Sequence, residues 1–204
     1  MPVSSPGQLT VEKTPSYFVT QSAPERIHNM NSSIKILLVV RDPVTRALSE
    51  YAQVATKRPE LGSFESLAFH DSGRNRSVNE HWGAIRLGLY WLQLRRWLQY
   101  FPLSNFHIVH GERLISNPAS EMSRVEDFLG LKRHISSDHF YYNSTKGFPC
   151  IRRQSHQAPH CLGHTKGRPH PTLSPTDLTL LKNYYAPHNE IFSRLIHRKF
   201  HWSS

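Results

Sequence analysis

The stretch Ile34-Lys35-Ile36-Leu37-Leu38-Val39-Val40, closed by Arg41-Asp42-Pro43, decides the fold. Apolar except at Lys35 and rich in β-branched residues, it reads as a strand buried on both faces, as in a parallel sheet. Pro43 fits the first turn of a helix, Asp42 fits its cap, and Val44 to Val54 keeps helical spacing. The order strand, tight loop, helix puts polar groups at the carboxyl end of a strand and ahead of a helix N-terminus. Phosphates bind at such places in α/β proteins.

Working outward, Thr56 to Glu80 reads as a charged surface excursion with one short helix at Phe64 to Phe69. Trp82 to Tyr100 has the spacing of a single amphipathic helix, with Ile85, Leu89, Leu92, Trp97 and Tyr100 among its apolar positions. Asn105 to His110 is a second strand. Ala119 to Leu129 is helical, and Gly130 suits its C-terminal cap. Phe140 to Tyr142 reads as a short strand, and Asn143 to Pro171 as a basic, loop-rich stretch. Pro175 to Ile196 is a terminal helix, or a helix pair broken near Pro187. Strands alternating with helices give an α/β layered fold, and 204 residues suit a single domain over 1–204.

A hydrophobic fraction of 38% with 11% aromatics excludes a disordered chain. The 25 Lys and Arg against 15 Asp and Glu leave +10, which calls for a polyanionic partner and excludes an acidic chaperone or calcium module. The 14 histidines add charge on mild acidification. No recognition-helix pattern, RNP signature or basic–aromatic stripe is present, so no nucleic-acid partner is expected. Met1 to Thr10 is too polar and Pro-rich for a signal peptide, and no apolar run nears the roughly 20 residues that span a bilayer. Sequons at Asn31, Asn75 and Asn143 are candidate glycosylation sites and point to a secretory lumen. Cys150 and Cys161 flank a polar loop. With His156, His160 and His164 they form a conceivable zinc set without finger register, and a disulfide is the better reading.

Two clusters bear on anion chemistry. Arg41 leaves the strand and Ser49 follows about two turns along the next helix, so fork and hydroxyl can converge on a terminal phosphate. The competing reading is an ordinary Arg41–Asp42 loop with Arg46 on the solvated face. Lys166-Gly167-Arg168-Pro169-His170-Pro171 combines a glycine with three basic groups, either an anion site or a solvated basic turn. Glu12-Lys13-Thr14-Pro15-Ser16-Tyr17 is uninformative alone.

Taken together, TVEKTPSYF (10–18), LLVVRDPVTRALSEYAQ (37–53), GERLISNPASEMSRVEDFLGLKR (111–133), FYYNSTKGFPC (140–150) and HCLGHTKGRPHP (160–171) resemble the heparan sulfate glucosamine 3-O-sulfotransferases. The resemblance runs from about Met1 to Trp202. It implies a three-layer sulfotransferase fold of the P-loop nucleoside triphosphate hydrolase type, with a parallel sheet flanked by helices. The implied reaction moves a sulfo group from 3'-phosphoadenosine 5'-phosphosulfate (PAPS) to the 3-hydroxyl of glucosamine in heparan sulfate, without metal.

By the same resemblance, Arg41 and Ser49 hold the donor's 3'-phosphate, and Lys166, Gly167, Arg168, Pro169 and His170 contact the nucleotide. Lys13, Gln53, Trp82 and Gly83 border the acceptor, with Lys166 and Arg168 also near the sugar chain. The family's cysteine pair falls on Cys150 and Cys161, and its setting is the Golgi lumen behind a single type II membrane anchor. The family's first strand, a K-x-G-T-R-type 5'-phosphosulfate loop and a catalytic glutamate match nothing in this sequence, and Glu12 matches the structural glutamate of EKTP. The chain is therefore expected to be a C-terminal portion of the domain with no catalytic residue of its own. It would be impaired in transfer, or act as a non-catalytic heparin- or nucleotide-binding fragment.

Overall fold

The structure, a computed structural model, describes residues 5, 7–72, 75–152, 161–163 and 167–202. Its helices are α1 (Ala23–Met30), α2 (Pro43–Ala55), α3 (Phe64–Ala68), α4 (Gly83–Arg86), α5 (Tyr90–Trp97), α6 (Gly111–Ser116), α7 (Pro118–Leu129) and α8 (Pro175–Leu195). Its strands are β1 (Ile36–Val40), β2 (Phe69–Ser72), β3 (Asn75–Val78), β4 (Phe106–His110), β5 (Phe140–Asn143) and β6 (Phe148–Ile151).

The two strands expected from the apolar runs pair in parallel, Leu38 opposite Ile108 and Val40 opposite His110. One face of this pair carries Leu38, Val40, Phe106 and Ile108 into a core with Tyr90, Leu94 and Trp97 of α5 and Phe192 of α8. On the other face Phe128 of α7 stacks on His107, ring centroids 5.4 Å apart. Helices thus flank the parallel pair on both sides. β1 is covered less fully than its sequence predicts. Leu38 and Val40 are buried, but Leu37 and Val39 are 39% and 55% exposed because, among the described residues, α7 shields β4 and not β1. A second core gathers Val44 and Ala47 of α2, Phe64 and Ala68 of α3, Ile85 of α4, and Leu181 and Tyr185 of α8.

Three helix starts follow one local rule. Asp42, Asn117 and Ser174 each precede a proline and accept the backbone N–H three residues on, from Thr45, Ser120 and Asp177. Gly130 closes α7 in the left-handed region, φ 74°.

One expectation is corrected: Trp82 to Tyr100 is two helices, parted where Leu89 leaves helical geometry at ψ 65°, beside Gly88, which packs so close to Tyr185 that a Cβ would lie 2.9 Å from its ring. Of the two readings of the last segment, the single helix holds, and α8 runs unbroken through Pro187. Pro187 cannot donate to the carbonyl of Asn183, but both residues are exposed, so water satisfies that oxygen. The excursion before Trp82 also contains an antiparallel hairpin, β2–β3, and the loop-rich stretch contains another, β5–β6. No helix among the described residues is long and apolar enough to cross a membrane.

Candidate functional site

Arg41 directly follows β1, and its backbone is clamped on both sides by one hydroxyl. Tyr90 Oη accepts from the Arg41 N–H at 3.3 Å and donates to the Arg41 carbonyl at 2.9 Å. Burial pushes the Tyr90 phenol up to about 12, so it stays a neutral donor at any physiological pH. Behind Tyr90 stand Phe192 and Trp202, with Phe200 stacked on Trp202 at 5.0 Å. Next in the loop, the N–H of Asp42 donates to Glu112 Oε1 at 2.8 Å, and the Asp42 carboxylate caps α2. These contacts fix the backbone where the first strand meets the first long helix.

The Arg41 side chain leaves this clamp across the start of α6. Gly111 makes room for it, since a Cβ there would sit 2.3 Å from Arg41 Cγ and 2.8 Å from the Val40 carbonyl oxygen. Glu112 is its acidic neighbour, at 3.8 Å from Nε, beyond hydrogen-bond reach. Nε is buried and unpartnered, and no guanidinium nitrogen makes a hydrogen bond among the described residues. A forked cation held at its base and open at its tip is suited to an anion.

Of the basic turn, His170 comes within reach of the Arg41 charge, and Gly167 sits against the β5–β6 hairpin. Gly167 has φ 71° and lies over Phe148 of β6, where a Cβ would meet the ring at 2.8 Å. Hairpin β5–β6 rests on α6, and Cys150 of β6 is bonded to Cys161. The disulfide therefore ties Cys161 to the hairpin and occupies both sulfurs of the conceivable zinc set. His170 is held below its ordinary range by partial burial and then by the nearby charge of Arg41. It is neutral at pH 7 and offers a ring nitrogen in place of a second cation. Lys166, His156, His160 and His164 lie outside the described residues.

Ser49 is half-buried on α2, about 9 Å along the axis from Pro43 at the usual rise. No hydrogen bond joins it to Arg41 among the described residues. Arg46 is not on a solvated face: it pairs with Glu50 and donates to the Ala84 carbonyl, tying α2 to α4. Along the same seam Trp82 packs edge-on against Phe64 and Tyr51, at 5.3 and 6.4 Å. Gln53 is exposed two residues beyond Tyr51, and Gly83 is exposed at the start of α4. Lys13 is exposed before a 3₁₀ turn, Pro15–Phe18, whose last carbonyl accepts from Trp97 Nε1. Of those acceptor candidates Trp82 and Gly83 adjoin at the start of α4, Gln53 is exposed on α2, and Lys13 is on a separate segment.

Asn31 and Asn75 are exposed, whereas the Asn143 amide is turned inward, donating to Cys161 Sγ and accepting from the Lys146 N–H. Tyr90, Glu112 and Gly111 escaped the sequence reading. The signal available for Gly111 was its position directly after a strand.

Cys161→Ser is expected to lower stability by about 2–3 kcal/mol, the loop-closure contribution of a short disulfide. A circular-dichroism melt would fall by about 6–10 °C. An unchanged melting temperature would remove this contribution.

The profile of the sulfotransferase domain matches residues 4–196. Mouse (Mus musculus) heparan sulfate glucosamine 3-O-sulfotransferase 3B1 is 52% identical over 206 residues, covering 99% of this chain and 52% of that protein. The human (Homo sapiens) 3-O-sulfotransferase 6 is 52% identical over 204 residues, covering 99% and 59%. The chain thus spans about half to three-fifths of the length of these curated relatives. A crystal structure of a sulfotransferase from Alicyclobacillus acidocaldarius superposes with a TM-score of 0.61 at 21% identity, over 91% of this chain and 63% of that one, which speaks to the fold alone. With a parallel pair flanked by helices, an open arginine at its carboxyl end and a domain profile that covers nearly the whole chain, the protein belongs to the sulfotransferase domain family.

Proposed function

We propose that the protein works in 3-O-sulfation of heparan sulfate, with PAPS as donor and a glucosamine 3-hydroxyl as acceptor. The observation that carries this is Arg41, clamped at its backbone by Tyr90 and free at its tip. In this reading Arg41 and Ser49 hold the 3'-phosphate, and Gly167, Arg168, Pro169 and His170, with Lys166, close over the nucleotide. Gln53, Trp82, Gly83 and Lys13 then border the sugar chain.

Transfer breaks the bond between sulfur and the bridging phosphate oxygen as the sugar oxygen bonds to sulfur, and the hydroxyl proton passes to a base. Adenosine 3',5'-bisphosphate leaves. The residues of this chain contribute position and charge: a fixed guanidinium orients the donor for in-line attack, and Arg168 offsets charge on the leaving nucleotide. A Golgi setting fits the disulfide, since such bonds persist in oxidising lumens.

Calorimetry tests the donor half directly. Adenosine 3',5'-bisphosphate is expected to bind at least about thirtyfold tighter than adenosine 5'-monophosphate, as a charge-assisted fork to one phosphate requires. Equal affinities would remove the assignment of the 3'-phosphate to Arg41.

A further inference from the structure

Away from the Arg41 loop, Glu121 of α7 is fully buried, yet three arginines crowd its carboxylate. Arg124 lies at 3.0 Å, Arg113 at 3.9 Å and Arg198 at 4.0 Å. One cation would neutralise it. The others keep 35–41% of their side chains exposed and therefore present unspent charge to solvent. Burial and then the repulsion of Arg124 and Arg113 hold Arg198 below its ordinary range, even against the attraction of Glu121. The cluster is short of negative charge.

Arg198 also lines a cavity of about 490 Å³, open to solvent, with Glu190, Ser193, Arg194, His197 and Lys199. The chain reverses here after α8. His197 takes φ 52° in the left-handed region, its N–H bonds the Arg194 carbonyl, and Arg198 turns in to donate to the Ile108 carbonyl of β4. Lys199 stays outside. Across cavity and cluster, five Arg and Lys side chains share two carboxylates, Glu121 and Glu190, so positive charge exceeds negative by three among the described residues.

We propose that this cavity is a second anion site, which takes a sulfate or carboxylate group of the acidic polysaccharide beyond the unit that reacts. The assignment of the polysaccharide rests on the proposed function. The site itself rests on the surplus of cations and an open cavity beside them. An arriving sulfate gives Arg194, Lys199 and the exposed flank of Arg198 the counter-charge that Glu190 and Glu121, already shared among several cations, cannot supply. A long chain held at two points gains affinity by effective concentration, so the site favours polymer over short oligosaccharide.

The test is the double variant Arg194→Ala, Lys199→Ala, which spares the buried contacts of Arg198. Both replaced residues are exposed, and an unchanged melting curve checks the fold. Binding of long heparan sulfate chains at an ionic strength of about 0.15 M is expected to weaken about tenfold. The charge-matched control Lys57→Ala, Arg95→Ala should change it by no more than about twofold. Adenosine 3',5'-bisphosphate affinity should be unchanged in both, which separates this site from the Arg41 site: if wild-type nucleotide discrimination fails while the polysaccharide effect stands, the second site survives and the donor assignment falls. Equal losses in the two double variants would overturn the site. A loss seen only with vesicles containing phosphatidylserine, and not with heparan sulfate, would overturn it too.

Discussion

Arg41→Ala is expected to weaken adenosine 3',5'-bisphosphate at least about a hundredfold, corresponding to the loss of a forked, charge-assisted contact to a dianion. The backbone clamp survives in this variant, because Tyr90 holds Arg41 by its N–H and carbonyl and not by its side chain. Melting should therefore stay close to the wild-type curve, and adenosine 5'-monophosphate should bind as before. The milder Tyr90→Phe, which removes one hydroxyl, should cost nucleotide affinity without touching the guanidinium. If Arg41→Ala binds both nucleotides like the wild type, the open cation at the strand end has some other purpose.

Glu121→Gln should show the largest loss of stability, about 3–5 kcal/mol, the usual result of removing one partner from a buried ion cluster. The glutamine keeps the shape but leaves three arginines confronting one another around a neutral amide. For a chain of this size, the circular-dichroism midpoint would fall by roughly 10 °C or more. High salt should recover part of the loss, since the arginines are half exposed and their repulsion is screened. A melting curve that does not move would mean that the cluster is held by packing alone.

Legibility in the sequence followed the range over which each element is determined. Ile36–Val40 and the Asp42-Pro43 start of α2 are set by neighbours in the chain, so pattern alone found them, whereas the caps Asn117 and Ser174, equally local, went unread and α7 was begun at Ala119, one residue late. The division after Arg86 was missed because apolar spacing continues across Gly88, although that glycine is a weak helix former; the backbone leaves helical geometry at Leu89, and Tyr185, nearly a hundred residues away, fills the space a side chain at 88 would need. The β2–β3 hairpin was missed for a different reason. Its residues are polar and mostly exposed, and Arg76 holds it by pairing with Asp177 at the start of α8 at 2.7 Å. At the site, Arg41 and the loop from Gly167 to His170 were legible as residue types. The surroundings of Arg41 were less so: Gly111 was signalled only by its place directly after a strand, Glu112 by nothing local, and of the β5–β6 hairpin only the first strand was read.

The aromatic backing of Tyr90 gives the site an optical label. The indole of Trp202 lies 6.1 Å from the phenol that grips Arg41, well inside the range of tyrosine-to-tryptophan energy transfer. Excitation of Tyr90 is thus collected by a tryptophan two residues short of the last position of this sequence. A fluorescence titration with nucleotide, compared between the wild type and Trp202→Phe to subtract the other three tryptophans, would follow events at the end of β1 without any added dye.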